Sequence, residues 1–155
     1  MSGARACARA PPGEGKLSMT ANREIVADAF AAWSAGTGSI TDLFAEDMRW
    51  EIIGRSVAAG LYQPARQFVE EALTPFGARF TKEDPFRPVH IRGIYEDPTA
   101  DTVIVAWNGA GTTTIGTTYT DTVAWFLRMR DGKVVEGTAF FDSIAFNELW
   151  QDVPA

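Results

Sequence analysis

As a strand, the run from Asp121 to Met129 puts Asp121, Val123, Trp125, Leu127 and Met129 on one face, and Thr122, Ala124, Phe126 and Arg128 on the other. A carboxylate at the end of such an apolar face can serve as a general base, because burial disfavours its charged form and raises its pKa. The same residue can equally be a strand-end aspartate that sits in water or accepts from a backbone amide. Tyr119 and His90 are the groups that could assist it. His90 is the only histidine and lies among Val89, Ile91 and Arg92 after Pro88, where a surface position is the competing reading. Asp142 suits a helix cap better than chemistry.

Several chemistries are excluded by count. There is one cysteine, Cys7, so no disulfide can close within the chain, and a Cys/His zinc site lacks ligands. Glu96, Asp97 and Asp101 cluster without the spacing of a calcium loop. Gly109-Ala110-Gly111 lacks the Lys-Ser/Thr ending of a phosphate loop. No metal and no organic cofactor are expected. With 14 basic and 20 acidic residues the net charge is −6, which argues against a nucleic-acid partner. No apolar run approaches the ~20 residues of a membrane span, and a cytoplasmic location is expected.

The elements that must carry these groups follow from the periodicity. Residues 1–19 read as an unpatterned N-terminal tail, with 20–155 as a single domain. Ile25, Val26, Ala29, Phe30, Ala32 and Trp33 recur at helical spacing, with Thr20 or Asn22 as cap and Gly36 as stop. Ser39 and Asp42 resemble a capping box for a short helix over 40–44. A strand over 48–53 follows, then a loop with Gly60-Leu61-Tyr62, then a helix carrying Ala65, Phe68, Val69, Ala72, Leu73 and Phe76. Beyond it the period changes to two, predicting strands over 89–95, 102–107, 112–119, 121–129 and 134–141. Asn108 to Gly111 reads as a turn, Asp131-Gly132 as a two-residue hairpin, and 144–150 as a closing helix. Helices first and a meander afterwards imply an α+β fold with one bent antiparallel sheet.

This order, with certain local phrases, resembles the SnoaL-like branch of the nuclear transport factor 2-like superfamily. The phrases are Phe30-Ala31-Ala32-Trp33-Ser34-Ala35-Gly36, then Leu43-Phe44-Ala45-Glu46-Asp47 leading into Trp50. Gly116 with Tyr119-Thr120-Asp121, Arg130-Asp131-Gly132-Lys133-Val134, and Phe141-Asp142 complete the set. The resemblance implies a cone-shaped roll: three N-terminal helices packed on a strongly bent sheet around an apolar pocket. It turns the Asp121 face inward, with Tyr119 beside it. The candidate lining is Trp50, Ile52, Tyr62, Trp107, Asn108, Val123, Trp125 and Phe141, with the facing of Trp107 and Asn108 left open by the hairpin length. Each aromatic is read either as pocket lining or as packed core.

The resemblance also carries chemistry that can be checked position by position. Ketosteroid isomerases use a carboxylate base with a Tyr and a protonated Asp. Those positions fall here at Ile52, near Ala29 and at about Trp125, all apolar. The Asp-Arg-Asp set of limonene-epoxide-type hydrolases would fall around Ala106-Trp107-Asn108 and Ala139, and is also missing. Two readings remain. One is a cofactor-independent isomerase, cyclase or dehydratase that moves a proton on a small hydrophobic carbonyl compound, using Asp121 with Tyr119 or His90. The other is a non-catalytic ligand-binding or scaffold module. The resemblance further implies a homodimer paired through the face of Thr122, Ala124, Phe126 and Arg128.

Overall fold

The computed structural model describes residues 19–155, so the N-terminal tail reading lies outside the described residues except for Met19, which opens the first helix. Helix α1 spans Met19–Ala35 and lays Val26 and Phe30 into the core, with Ile25, Ala29 and Trp33 half-buried beside them. Thr20 and Asn22 therefore lie within the helix and not ahead of it. The helix ends where the Gly36 amide donates to the Trp33 carbonyl and the Thr37 amide to that of Ala32, a pair of bonds that satisfies the last carbonyls. The short helix over Ile40–Leu43 is of the 3-10 type, and Ser39 caps it through the Thr41 amide.

The strands are β1 (Phe44–Ile52), β2 (Gly60–Tyr62), β3 (Arg87–Asp97), β4 (Thr102–Thr112), β5 (Thr118–Arg130) and β6 (Lys133–Phe141). They form one curved, unclosed sheet in the order β2-β1-β6-β5-β4-β3. All neighbours are antiparallel except β1 and β6, which run parallel. Register shifts interrupt the β1–β6, β3–β4 and β5–β6 ladders, and such bulges add bend and twist to a strand. Between β2 and β3 the chain is helical in three successive stretches: α2 (Ala65–Phe68), a π-helical turn (Val69–Leu73) and α3 (Thr74–Gly77). Helix α4 (Ser143–Asp152) closes the chain, capped by the Asp142 carboxylate through the Ile144 and Ala145 amides.

Two expectations need correction. Gly60-Leu61-Tyr62 is an edge strand, β2. The expected turn at Asn108 to Gly111 does not exist, because β4 continues through it to Thr112 and the strand read over 112–119 divides between β4, a turn and β5. Those glycines answer to a close approach instead. A Cβ on Gly109 would stand 2.2 Å from the Phe86 ring, and one on Gly111 would stand 2.7 Å from the Phe86 backbone nitrogen. The segment before β3 lies against the inner side of β4, and only glycine leaves it room. Asp131 and Gly132, with φ of 52° and 78°, make the expected two-residue hairpin.

The interior is largely filled with rings. Trp125 on β5 touches four of them: Phe30 at 5.6 Å, Trp33 at 5.9 Å, Trp50 at 4.9 Å and Trp107 at 5.3 Å. Such pairs contribute about 0.5–1.5 kcal/mol each beyond area burial. Trp50 in turn stacks on Phe68 at 4.6 Å and covers Gly137, where an added Cβ would meet the indole at 2.1 Å. Neither backbone nor ring has free space there, so overpacking should be costly. Gly137→Ala is expected to destabilise the domain by about 2 kcal/mol, read from denaturant unfolding. A loss near zero would contradict this account of the core.

Candidate functional site

Alternation along β5 and β4 positions the site. Tyr119, Asp121, Val123 and Trp125 are buried on the inner side of β5, and register pairs Asp121 with Gly109 and Val123 with Trp107 on β4. Opposite Asp121 the missing side chain makes room for the Phe86 ring. A cavity of about 80 Å³ adjoins them. Trp50, Ile52, Trp107, Val123, Trp125 and Phe141 line it, together with Tyr119 and Asp121.

Asp121 is 7% exposed and fully engaged with its surroundings. The Tyr119 hydroxyl donates to its Oδ2 at 2.5 Å, and the Asp142 amide donates to its Oδ1 at 3.0 Å. Among the described residues, none of the ion pairs reaches it. Burial pushes its carboxyl above the usual carboxylate range, against the lowering effect of the Tyr119, Asp142 and Thr122 hydrogen bonds; the charge of Asp142 adds a smaller upward push. Burial also raises the Tyr119 phenol, reinforced by its bond to Asp121 and by the charges of Asp121 and Asp142. Tyr119 therefore stays protonated and acts as a donor. The pair holds a proton-accepting oxygen in an apolar setting, and it also ties β5 to the start of α4 through Asp142.

Three sequence candidates lie elsewhere. His90 is exposed on β3 and sits opposite Asn108, which faces outward because Trp107 faces in. Continuation of β4 past the expected turn is what fixes both. His90 is therefore not with Asp121, and Asn108 meets Arg92 at 3.4 Å outside the cavity. Tyr62 does not line the cavity either: its hydroxyl donates to the Ala58 carbonyl at 2.6 Å while its ring packs behind Phe68. The other wall comes from residues not singled out in the sequence, chiefly Phe68, Leu73 and Phe76 around the π turn, Phe86 before β3, and Phe146 on α4. The 3.6-residue period of the helix marked Phe68 and Phe76 as core-facing. Nothing local distinguished core from cavity.

Leu73, Phe76 and Phe86 also border a second, larger cleft of about 400 Å³, which extends to Trp33, Gly36 and Gly38 at the end of α1. Three side chains thus stand between the inner cavity and a space of the size that ordinary ligands occupy. By itself the inner cavity is smaller than the roughly 150 Å³ that admits benzene in an engineered core. Among the described residues no group of three or more His, Cys, Asp or Glu converges on a point that could hold a metal ion, and no helix is long and apolar enough to cross a membrane.

No family model and no curated protein matches the chain. Solved structures do. An NTF2-like protein from Burkholderia thailandensis E264 is 23% identical with a TM-score of 0.64, over 83% of this chain and 95% of that one. TerC, co-crystallised with polyporic acid, is 23% identical with a TM-score of 0.60, over 84% and 98%. A protein with a ketosteroid isomerase-like fold from Catenulispora acidiphila DSM 44928, in complex with trimethylamine, is 19% identical with a TM-score of 0.55, over 76% and 84%. The chain has the NTF2-like, ketosteroid isomerase-like fold.

Burial of Asp121 makes a prediction about stability. Its raised carboxyl means the folded state holds a proton that the unfolded chain, with a pKa of about 3.9, has already released. Stability contributed by this group is thus full at low pH and lost as pH rises through the raised value. The difference in unfolding free energy between wild type and Asp121→Asn should therefore change with pH, the wild type losing ground as pH rises above about 4. A difference independent of pH would mean that Asp121 titrates normally.

Proposed function

We propose that the domain is a cofactor-independent enzyme that shifts a proton on a small, neutral, hydrophobic carbonyl compound, with Asp121 as the base. The observation that carries this reading is a buried carboxylate facing an apolar cavity, its pKa raised, with a phenol donor on one oxygen. In this reading Asp121 takes a proton from the carbon beside the carbonyl and returns it elsewhere on the same molecule, while the ring-lined walls exclude water. Tyr119 is a positioning residue that keeps the carboxylate charged and oriented. That TerC, of the same fold, was co-crystallised with polyporic acid supports an organic ligand for the domain. A cytoplasmic location belongs to the same proposal.

A second reading, the non-catalytic binding module, is favoured by one observation: Ile52 and Trp125, to which the resemblance assigns the carboxylate positions of ketosteroid isomerases, are apolar and packed into the buried core. The variants separate the two. Asp121→Asn should lower turnover by about 10²–10⁴ while leaving ligand affinity nearly unchanged. The acid limb of the pH–rate profile should lie above the usual carboxylate range. Tyr119→Phe removes a bond that favours the charged carboxylate, so it should move that limb to still higher pH. Ligands that bind and are never converted, or turnover that survives Asp121→Asn, would favour the binding module.

We also propose a homodimer through the outer sheet face. Phe126 and Phe140 pack against each other there at 5.7 Å, yet they remain 39% and 44% exposed, and Tyr95 is 57% exposed. Arg128, paired with Glu136 at 3.1 Å, borders the patch. Light scattering at micromolar concentration should give twice the monomer mass, and Phe126→Asp with Phe140→Asp should return the monomer. A monomeric wild type would refute the pairing.

A further inference from the structure

The cleft of about 400 Å³ at the end of α1 takes no part in the chemistry proposed for Asp121, yet it is built like a binding site. Trp33, Leu73, Phe76 and Phe86 line it, and the core leaves all four half-buried, so apolar surface borders the space. Gly77, at the end of α3, lines it too. Its φ is not positive, and an added Cβ would meet no atom within 4 Å, so neither conformation nor packing requires glycine there. Glycine weakens a helix relative to alanine. What its bare backbone leaves is room in the cleft.

The polar side chains of this cleft have donors to spare. The Ser39 and Thr41 hydroxyls lie 2.7 Å apart, and Ser39 Oγ also accepts from the Thr41 amide. Whichever hydroxyl donates to the other, one hydroxyl hydrogen is left over. Arg87 is the single charged residue of the lining, and among the described residues no carboxylate lines the cleft. Its Nη1 donates to Asp84 at 2.6 Å and to the Pro85 carbonyl at 3.2 Å. Asp84 is itself held by the Thr112 hydroxyl at 2.7 Å, so it fixes the guanidinium in place. The other edge of the fork, Nε and Nη2, makes no bond among the described residues. We propose that this cleft is a second ligand site, which takes a carboxylate carrying an apolar chain. The chain lies on Trp33, Phe76 and Phe86, and the carboxylate accepts from the free edge of Arg87, the geometry in which a guanidinium binds a carboxylate with two parallel bonds. The inner cavity has the opposite preference, because Asp121 is the single charged residue of its lining and disfavours an anion. The two sites thus differ in ligand charge, and the second does not depend on the proton-transfer reading.

The test titrates octanoate and its neutral isostere, octanamide, into the ¹⁵N-labelled full chain below the micelle threshold. The chain has five tryptophans, hence five indole N–H signals. Octanoate should move the signal that is missing from Trp33→Phe, and it should bind about tenfold more tightly than octanamide, the effect of a hydrogen bond to a charged group. Arg87→Gln should abolish that preference. Gly77→Leu, which adds a side chain to the cleft wall, should weaken both ligands. Equal binding of the two ligands, octanoate shifts confined to indole signals other than that of Trp33, neither variant changing octanoate binding, or no octanoate binding at all would each overturn the proposal. If a variant fails to fold, the comparison of the two ligands on the wild type still decides.

Discussion

A carboxylate kept out of water among aromatic rings is unfavourable unless its oxygens are bonded, and the architecture around Asp121 is arranged to hold it there. Strand β5 carries it inward by simple alternation. Its partner position on β4 is Gly109, whose missing side chain makes room for the Phe86 ring. Tyr119, one step along the same face, supplies a phenol, and the turn into α4 supplies the Asp142 amide. Asp142 then caps α4 with its own side chain. The polar groups at this end of the cone form one connected set, and charge on Asp121 is opposed by burial while being supported by three donors. That opposition is what raises its pKa, and a raised pKa is what a base working near neutrality requires.

Most of the cone is packed solid. Trp125 is the centre of a ring cluster joining α1, β1, β4 and β5. The space left over is small and lies toward the Asp121 end, behind Leu73, Phe76 and Phe86. This division ties stability to specificity: the rings that hold the sheet in its curve also limit what can sit beside the carboxylate. The π turn at Val69–Leu73 falls in the wall between the inner cavity and the outer cleft. Such turns recur at functional sites.

Much of this was legible in the sequence wherever one residue's neighbours along the chain decide the outcome. Period-two alternation from Asp121 to Met129 separated the two faces of β5, the resemblance turned the Asp121 face inward, and Asp131-Gly132 marked its hairpin. Asp142 read as a cap because helix starts demand an acceptor. What was not legible depends on residues distant in sequence. Gly109 and Gly111 look like turn chemistry until Phe86 is seen lying across them. His90 looks like a catalytic residue by type, but its facing is set by its register against β4, through two irregular steps in the ladder. The Phe68, Phe76 and Phe146 wall was marked as apolar by pattern, and only tertiary packing makes it the boundary of a cavity.

The central claim is that Asp121 is a buried, proton-accepting carboxylate with an elevated pKa. The most direct measurement is a ¹³C NMR titration of its side-chain carboxyl, assigned by comparison with Asp121→Asn. The account predicts a midpoint clearly above the usual aspartate value of about 3.9, with the Tyr119 ring signals shifting in the same transition. A midpoint at or below that value, or a Tyr119 signal indifferent to it, would contradict the account.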